Sequence, residues 1–505
     1  MIMAKESLLH LQNGSDIRGV AIEGEEGKRV NLTTEIAYRI GVAFAGMVAT
    51  RTKKSLPEIK IAVGRDARIS GPQLQSAFVS GVTSTGAKIL DCGLASTPAM
   101  YMSVIYEETA CDGACMITAS HLPMNRNGFK FFTKEGGFEK ADITELLEMA
   151  QGLSKEAKDD SVHLLNLYAE KLRNFIREGV QAEDYKHPLK GLHIIVDAGN
   201  GNGGFFAHQV LALLGANIDG SQFLDPDGTF PNHVPNPEDS KAMRSVADAT
   251  VQAGADLGLI FDTDVDRMSA VFADGTPVNR DACIALAAAI LAPDHPGATI
   301  VTDSATSDRL TDFLEGKLGL KHLAFKRGYK NVINKCIELN ENGIDCPLAM
   351  ETSGHGCLKE NHYLDDGAYL AVKIVIALAK AHKEGRQLSD LIADLSTHFS
   401  AREVRLHNLE KDFAAYGGEV LEAFKKSAEQ AGYELPETFE GVRVRFAKGS
   451  LSEEFRGGWL LLRSSLHDPV MVLNMEGETD ADLFAITMAV KKMLTPFWKL
   501  DTSTL

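Results

Sequence analysis

The 505-residue chain has no apolar run long enough to span a bilayer. Its longest, IALAAAILA at 284–292, is about half of the ~20 residues a membrane helix needs, and the N-terminal MIMAKESLLH lacks the basic segment and apolar core of a secretory leader. Cysteine is sparse. Its seven residues (Cys92, Cys111, Cys115, Cys283, Cys336, Cys346 and Cys357) are odd in number and scattered, which excludes a dense disulfide scaffold and fits a reducing compartment. Cys111 and Cys115 are spaced like neighbours on one helix face, but no second pair completes a zinc site, so they read as structural. Positive charge is also short: 52 Lys and Arg against 69 Asp and Glu leave a net charge of -17. Non-specific attraction to nucleic acid or an anionic membrane is thereby disfavoured, while a local basic pocket remains open. These absences predict a soluble cytoplasmic protein whose partners are small molecules rather than nucleic acid or membrane.

What is present is ordinary globular composition, 44% hydrophobic and 24% charged, over a length that a prior of roughly 150 residues per domain divides into about three to four domains. The first third alternates β-rich runs with helical patterns: IKIAVGRDAR, PQLQSAFVSGVTSTG, AKILDCGLASTP, and a helix before GACMITAS. This βαβ rhythm predicts a largely parallel sheet with functional loops at strand carboxyl ends. It returns in GLHIIVDAGNGNGG, FFAHQVLALLG and ADLGLIFDTDVDR, then in GATIVTDSATS, KHLAFKRGYKNV and CPLAMETSGHG. SAVFADGTPV reads as a hairpin turned at Asp274 and Gly275. VDAGNGNGG lacks the G-x-G-x-x-G order of a dinucleotide loop and reads as a tight strand-to-helix turn. After about residue 400 a helix-rich stretch leads into GVRVRFAKGS, WLLLRSSLHDPVMVLNMEG and a final helix from Asp480. The expected architecture is three similar α/β domains with mixed, largely parallel sheets (1–186, 187–295 and 296–400) plus a smaller C-terminal α+β domain (401–505), around a central cleft.

Four segments carry chemistry. DTDVDR at 262–267 follows the apolar LGLI, and its alternation lets Asp262, Asp264 and Asp266 converge on one hard cation beside Arg267. An acidic surface turn is the alternative; an EF-hand is excluded because Arg267 stands where the loop needs glycine. Magnesium suits a site with few protein oxygens and a phosphate. TASHLPMNRNGFK at 118–130 offers Ser120 as nucleophile or phosphoryl carrier, with His121 and Lys130 for proton transfer or positive charge. Taken alone, the segment reads first as a plain loop. ETSGHG at 351–356 offers Glu351 and Ser353 for sugar hydroxyls and His355 for proton exchange, against the alternative of a capped helix start at Thr352 or Ser353. RSSLHDP at 463–469 joins a guanidinium to small hydroxyls as a phosphate cradle, or is an ordinary turn.

In this order, one per domain, the segments resemble the α-D-phosphohexomutase superfamily, and within it the phosphomannomutase/phosphoglucomutase branch, over nearly the whole chain. The family's phosphoserine, metal, sugar and phosphate loops match TASHLPMNRNGFK, DTDVDR, ETSGHG and, in part, RSSLHDP. SDIRG with Arg18, GRDARISG at 64–71 and DDGAY at 365–369 match further family segments. The resemblance implies a phosphohexomutase, an isomerase interconverting hexose 1-phosphate and hexose 6-phosphate of glucose or mannose. It implies that Ser120 carries the phosphoryl group and, with Asp262, Asp264 and Asp266, ligates Mg²⁺. Arg18, Lys130 and Arg267 would surround the group, with His121, His355 and Lys130 as proton-transfer candidates. Lys326, Gly328, Tyr329, Glu351 and Ser353 would contact the sugar phosphate, and Arg463 with Ser465 would hold the non-reacting phosphate. A hexose 1,6-bisphosphate would be intermediate and activator, turning over in the cleft as the last domain moves, in a monomer or homodimer.

Leu122 stands where the family usually has Asn, and Leu466, His467 and Asp468 replace Asn, Thr and Glu of the phosphate loop. Leu466 cannot donate to phosphate; His467 can, more strongly when protonated, so phosphate binding is expected to improve at lower pH. The alternatives are a phosphoglucosamine mutase, a sugar-phosphate-binding protein that has lost turnover, and a metal phosphatase.

Overall fold

The computed structural model describes residues 7–22, 29–153, 164–397, 399–465 and 468–505. The chain is mixed α/β: three α/β stretches in succession, then a C-terminal sheet with two helices, as the sequence predicts. Its contacts group into two bodies, 1–290 with 353–390, and 291–352 with 391–505.

The first body contains a seven-stranded sheet. Lys60–Arg65 lies parallel to both Lys88–Leu94 and Gly113–Ile117, and Arg126–Thr133 runs antiparallel to Gly113–Ile117 and to Asp16–Val20. Helices Thr34–Thr52 and Gly71–Ser84 cross so closely that a Cβ at Gly41 would stand 2.3 Å from the Phe78 carbonyl oxygen, and one at Gly81 2.0 Å from that of Tyr38. Only glycine permits that approach. Beneath them Phe44, Phe78, Phe129, Phe131 and Phe138 pack with centroids 4.7–6.3 Å apart, an aromatic core that fixes the sheet carrying the 118–130 loop.

A second sheet in this body joins Ile194–Asp197 in parallel with Leu257–Phe261, which pairs antiparallel with Met268–Phe272 and thence with Pro277–Val278. The hairpin expected at Asp274 and Gly275 is formed, and all five residues of Leu257–Phe261 are buried, as a strand feeding a polar loop from the interior requires. The body also holds the hairpin of Gly356–Leu358 with Leu364–Asp365 and helix Gly367–Lys383. Asp366 caps that helix, accepting from the Tyr369 N–H at 2.8 Å, and accepts the Tyr168 hydroxyl of helix Leu164–Val180 at 2.6 Å.

In the second body, Thr299–Asp303 lies parallel to Lys321–Phe325 on one side and Leu348–Met350 on the other, with helix Tyr329–Glu341 against them. The C-terminal sheet is wholly antiparallel, in the order Ser400–His407, Val470–Gly477, Gly458–Ser464, Val442–Phe446, and is covered by helices Phe413–Gln430 and Asp480–Leu494. Charged pairs bind it to the 299–317 segment: Arg309 engages Glu476 at 2.9 and 3.0 Å, and Arg443 and Arg445 both reach Asp308.

One spacing argument and one alternative reading do not hold. Cys115 lies on strand Gly113–Ile117 and Cys111 just before it, so they share no helix face; all five residues of GACMI are buried, as in a strand covered on both sides. Thr352 and Ser353 do not start a helix: Thr352 donates through N–H and hydroxyl to Asp303 Oδ2, at 2.8 and 2.7 Å, and the chain continues into strand Gly356–Leu358.

Candidate active site

Strand Gly113–Ile117 delivers the 118–130 loop and strand Leu257–Phe261 delivers the 262–267 loop, each at its carboxyl end. In the second loop Val265 takes a left-handed φ of 68°, a tight reversal that turns Asp262, Asp264 and Asp266 inward, so that one oxygen from each lies within 4.8 Å of the others. Ser120, itself left-handed at φ 52°, donates its hydroxyl to Asp262 Oδ2 at 3.0 Å. Lys130, opposite Met116 in the antiparallel pair, bonds Asp266 and lies 3.2 Å from Asp264. Arg267 reaches Asp262 through Nε at 3.2 Å and Ser120 Oγ through a terminal nitrogen at 3.5 Å. His121 Nδ1 stands 3.5 Å from Ser120 Oγ. Arg18 pairs with Asp16 at 2.7 Å, on a strand that passes over Gly128, where a Cβ would collide with the Ile17 carbonyl and the Arg18 side chain.

The 353–356 turn packs on the acidic loop. Gly354, at φ 97°, has no room for a Cβ against the Met268 carbonyl, and His355 bridges by backbone to Arg267. The His355 Nδ1 is 3.3 Å from Asp365 and 3.8 Å from Asp266. The Ser353 hydroxyl is buried in the same turn without a hydrogen-bond partner.

Burial and mutual repulsion set the charges. Burial first, then Asp266 and Asp264, push the Asp262 carboxyl up to about 8. Burial works the same way on Asp264 and Asp266, but Lys130 outweighs it and both carboxyls lie below the usual range, Asp264 with a further bond from the Thr97 hydroxyl at 2.7 Å. Arg267, burial and Arg18 together push His121 down to about 2, so it is neutral. Burial would lower His355 too, yet Asp266 and Asp365 carry it up to about 9, leaving it an imidazolium at neutral pH. The carboxylate oxygens Asp264 Oδ1 and Asp266 Oδ1 are buried without a hydrogen-bond donor. Three converging carboxyls, two of them with an unsatisfied oxygen and the third unable to ionise freely, fit a divalent cation.

The second body holds the remaining residues of the sequence reading. Glu351 Oε1 accepts the Gly328 N–H at 2.6 Å, tying the end of strand Leu348–Met350 to the start of helix Tyr329–Glu341, where Tyr329 is the first residue. Lys326 is exposed beside them. Arg463 is the penultimate residue of strand Gly458–Ser464, with its Nε unbonded; burial and Arg327 lower its affinity for the proton while Glu440, Asp303 and Glu403 oppose them. Ser465 continues it, its N–H bonded to the Val470 carbonyl at 2.9 Å and its hydroxyl accepting the Asp468 N–H at 3.2 Å. His467, with Leu466, lies outside the described residues.

The site includes residues that spacing alone did not single out. Thr97 binds Asp264 by hydroxyl and by N–H; its only sequence signal is the strand-to-helix junction at STP. Arg327 and Glu440 join through the Arg327 N–H at 2.8 Å, near Arg463, and no motif marks Glu440.

Comparison with known proteins agrees with the geometry. Residues 10–156, 166–275 and 279–399 match, in order, the family descriptions "Phosphoglucomutase/phosphomannomutase, alpha/beta/alpha domain" I, II and III. The chain belongs to the phosphoglucomutase/phosphomannomutase family. Family relatives include a phosphomannomutase/phosphoglucomutase of Pseudomonas putida, 32% identical over 93% of this chain and 92% of that one. A phosphoglucomutase of Neisseria meningitidis serogroup A is 31% identical over 95% of each. Among solved structures, a phosphoglucomutase/phosphomannomutase family protein from Burkholderia thailandensis superposes with a TM-score of 0.76 at 27% identity, covering 96% of both chains.

Proposed function

We propose that the chain is a phosphohexomutase, an isomerase that interconverts the 1- and 6-phosphates of glucose or mannose through a phosphorylated Ser120. The observation that carries this reading is the Ser120 hydroxyl 3.0 Å from a buried trio of aspartates, with Lys130 and Arg267 at hand. Phosphoryl transfer asks mainly for positioning and for neutralisation of phosphate charge. In the first half-reaction the Ser120 Oγ–P bond breaks and a bond from phosphorus to a sugar hydroxyl oxygen forms, giving a hexose 1,6-bisphosphate. The hydroxyl proton passes to a nearby base, and Ser120 Oγ regains a proton. The second half-reaction returns the other phosphate to Ser120.

Asp262, Asp264 and Asp266 would hold Mg²⁺ together with the phosphate on Ser120. When bound, the cation would neutralise phosphoryl oxygens as a Lewis acid. Lys130 and Arg267 flank the transferring group as fixed cations, with Arg18 beside them. His121 is neutral beside Ser120, and a phosphate dianion there raises its proton affinity again, suiting Nδ1 to accept a proton. His355, held as a cation by Asp266 and Asp365, is suited to donate one. Glu351 and Ser353 would bind sugar hydroxyls, Lys326, Gly328 and Tyr329 would touch the sugar phosphate, and Arg463, Ser465 and His467 would hold the phosphate that is not transferred. Among the described residues no helix is long and apolar enough to cross a membrane.

Intact mass combined with coupled assays on glucose 1-phosphate, mannose 1-phosphate and glucosamine 1-phosphate tests the reading. A phosphoryl group on the wild type that disappears together with turnover in Ser120→Ala supports it. Preference for glucosamine 1-phosphate would make the enzyme a phosphoglucosamine mutase, and net release of inorganic phosphate would overturn it in favour of a phosphatase.

A further inference from the structure

We propose that Arg68 is a positioning residue for phosphoryl transfer: from behind the 118–130 loop its guanidinium grips the backbone of Ser120 and aims the hydroxyl at the acidic trio. The inference rests on the functional reading of Ser120 above. Arg68 is fully buried. Its two terminal nitrogens donate to four carbonyl oxygens of the loop: one to Pro123 at 2.8 Å and Arg126 at 3.0 Å, the other to Leu122 at 2.6 Å and to Ser120. Nε donates to Asp66 Oδ2 at 3.1 Å, so all five N–H groups are used.

Asp66 closes the circuit. Its Oδ1 accepts the Arg68 N–H at 3.0 Å and its Oδ2 accepts the Thr118 hydroxyl at 2.7 Å; the Thr118 Oγ1 in turn accepts the Ser120 N–H at 2.8 Å. Ser120 is therefore held at both its N–H and its C=O, which is what a non-glycine residue needs to persist at φ 52°. The Phe230 ring lies 5.5 Å from the guanidinium carbon, and Gly228 approaches so closely that a Cβ there would stand 2.9 Å from Arg68 Cα. Water is thus kept from the clamp on that side.

Arg68 touches neither Ser120 Oγ nor any aspartate of the trio in these bonds, so it acts through the loop alone. The arrangement also accounts for Leu122. Its carbonyl, not its side chain, is what the clamp holds, and a leucine presents that carbonyl as well as an asparagine does. A lysine at 68 would keep the charge but could not span four carbonyls from one ammonium.

The test compares wild type with Arg68→Lys and Thr118→Val, recording kcat, KM, thermal unfolding, and the rate at which glucose 1,6-bisphosphate phosphorylates Ser120 by intact mass. A misaimed nucleophile costs the chemical step, so Arg68→Lys should lose about 100-fold in kcat and in phosphorylation rate while KM stays within about threefold. Thr118→Val should lose about tenfold in the same way. In Arg68→Ala, guanidinium ion at millimolar concentration should restore part of kcat where equal sodium chloride does not. A folded Arg68→Lys with wild-type kcat overturns the inference; if that variant fails to fold, a folded Thr118→Val with wild-type kcat does so. A wild type that takes no phosphoryl group and a Ser120→Ala that retains turnover would instead bring down the functional reading itself.

Discussion

The acidic loop at 262–267 and the arginine loop that begins at Arg463 both follow strands at the edge of polar ground, yet their charges are managed in opposite ways. In the first, each carboxylate meets a cation or hydroxyl from another element: Asp262 meets Arg267 and Ser120, Asp264 meets Thr97 and Lys130, and Asp266 meets Lys130 and His355. In the second, Arg463 keeps an unbonded Nε among Glu440, Asp303 and Glu403, close enough to feel their charge without a bond that satisfies it. A site that must place one oxygen for bond making gains from groups locked before substrate arrives. A site that must accept first one phosphate and then another gains from donors left open until one arrives.

The contrast is sharpest at the carrier. Ser120→Ala should abolish turnover by about 10⁴-fold or more and leave the protein without a phosphoryl group by mass, because the oxygen proposed to carry that group is removed. Next, Asp264→Asn should lower kcat by about 10²–10³-fold and weaken Mg²⁺ binding in calorimetry, and chelation should silence the wild type until Mg²⁺ is restored. Arg463→Ala should behave differently, raising KM about 10–100-fold with a smaller change in kcat, since a charge-assisted phosphate contact is lost from ground and transition states alike. If Arg463→Ala lowered kcat as steeply as Asp264→Asn does, the proposed division between a locked and an open region would be wrong.

The smallest effect concerns stability in the body that carries the acidic loop. His233 Nε2 lies 3.0 Å from both Asp197 oxygens and its Nδ1 2.9 Å from the Val234 carbonyl, which satisfies an imidazolium. Burial opposes the charge, but the bond to Asp197 wins and the ring's pKa is raised above 6.5. The folded state therefore binds the extra proton more tightly. This stabilisation is complete below about pH 6.5 and fades as pH rises through the raised folded-state value. Urea unfolding should show wild type losing stability relative to His233→Gln between pH 6 and pH 9, with the variant flatter across that window.

Much of this was legible in the chain because chemistry follows strands. LGLI before DTDVDR and GACMI before TASHLP announce buried strands by their apolar runs, and the three aspartates converge as their alternation suggests. The Asp274 and Gly275 hairpin was equally plain. What was not legible depends on contacts between distant segments. Arg68 and Asp66 sit in GRDARISG, a segment that follows a β-rich run and matches the family but gives neither residue a role; their grip on Ser120 exists because strands Lys60–Arg65 and Gly113–Ile117 are neighbours in the sheet. Thr97 is similar, invisible as a partner of Asp264 until helix Thr97–Ile105 is placed beside the acidic loop. The helix face imagined for Cys111 and Cys115 failed because a four-residue spacing does not require a helix: Cys115 falls within the strand that GACMI announces and Cys111 precedes it.

All seven cysteines are free and buried, and burial pushes the thiols of Cys111 and Cys283 up to about 12. The native chain is thus a quiet background for maleimide chemistry. Two new cysteines, one at an exposed position in each body, would take donor and acceptor dyes without competition, giving a molecular ruler with which to ask whether substrate changes their separation in solution.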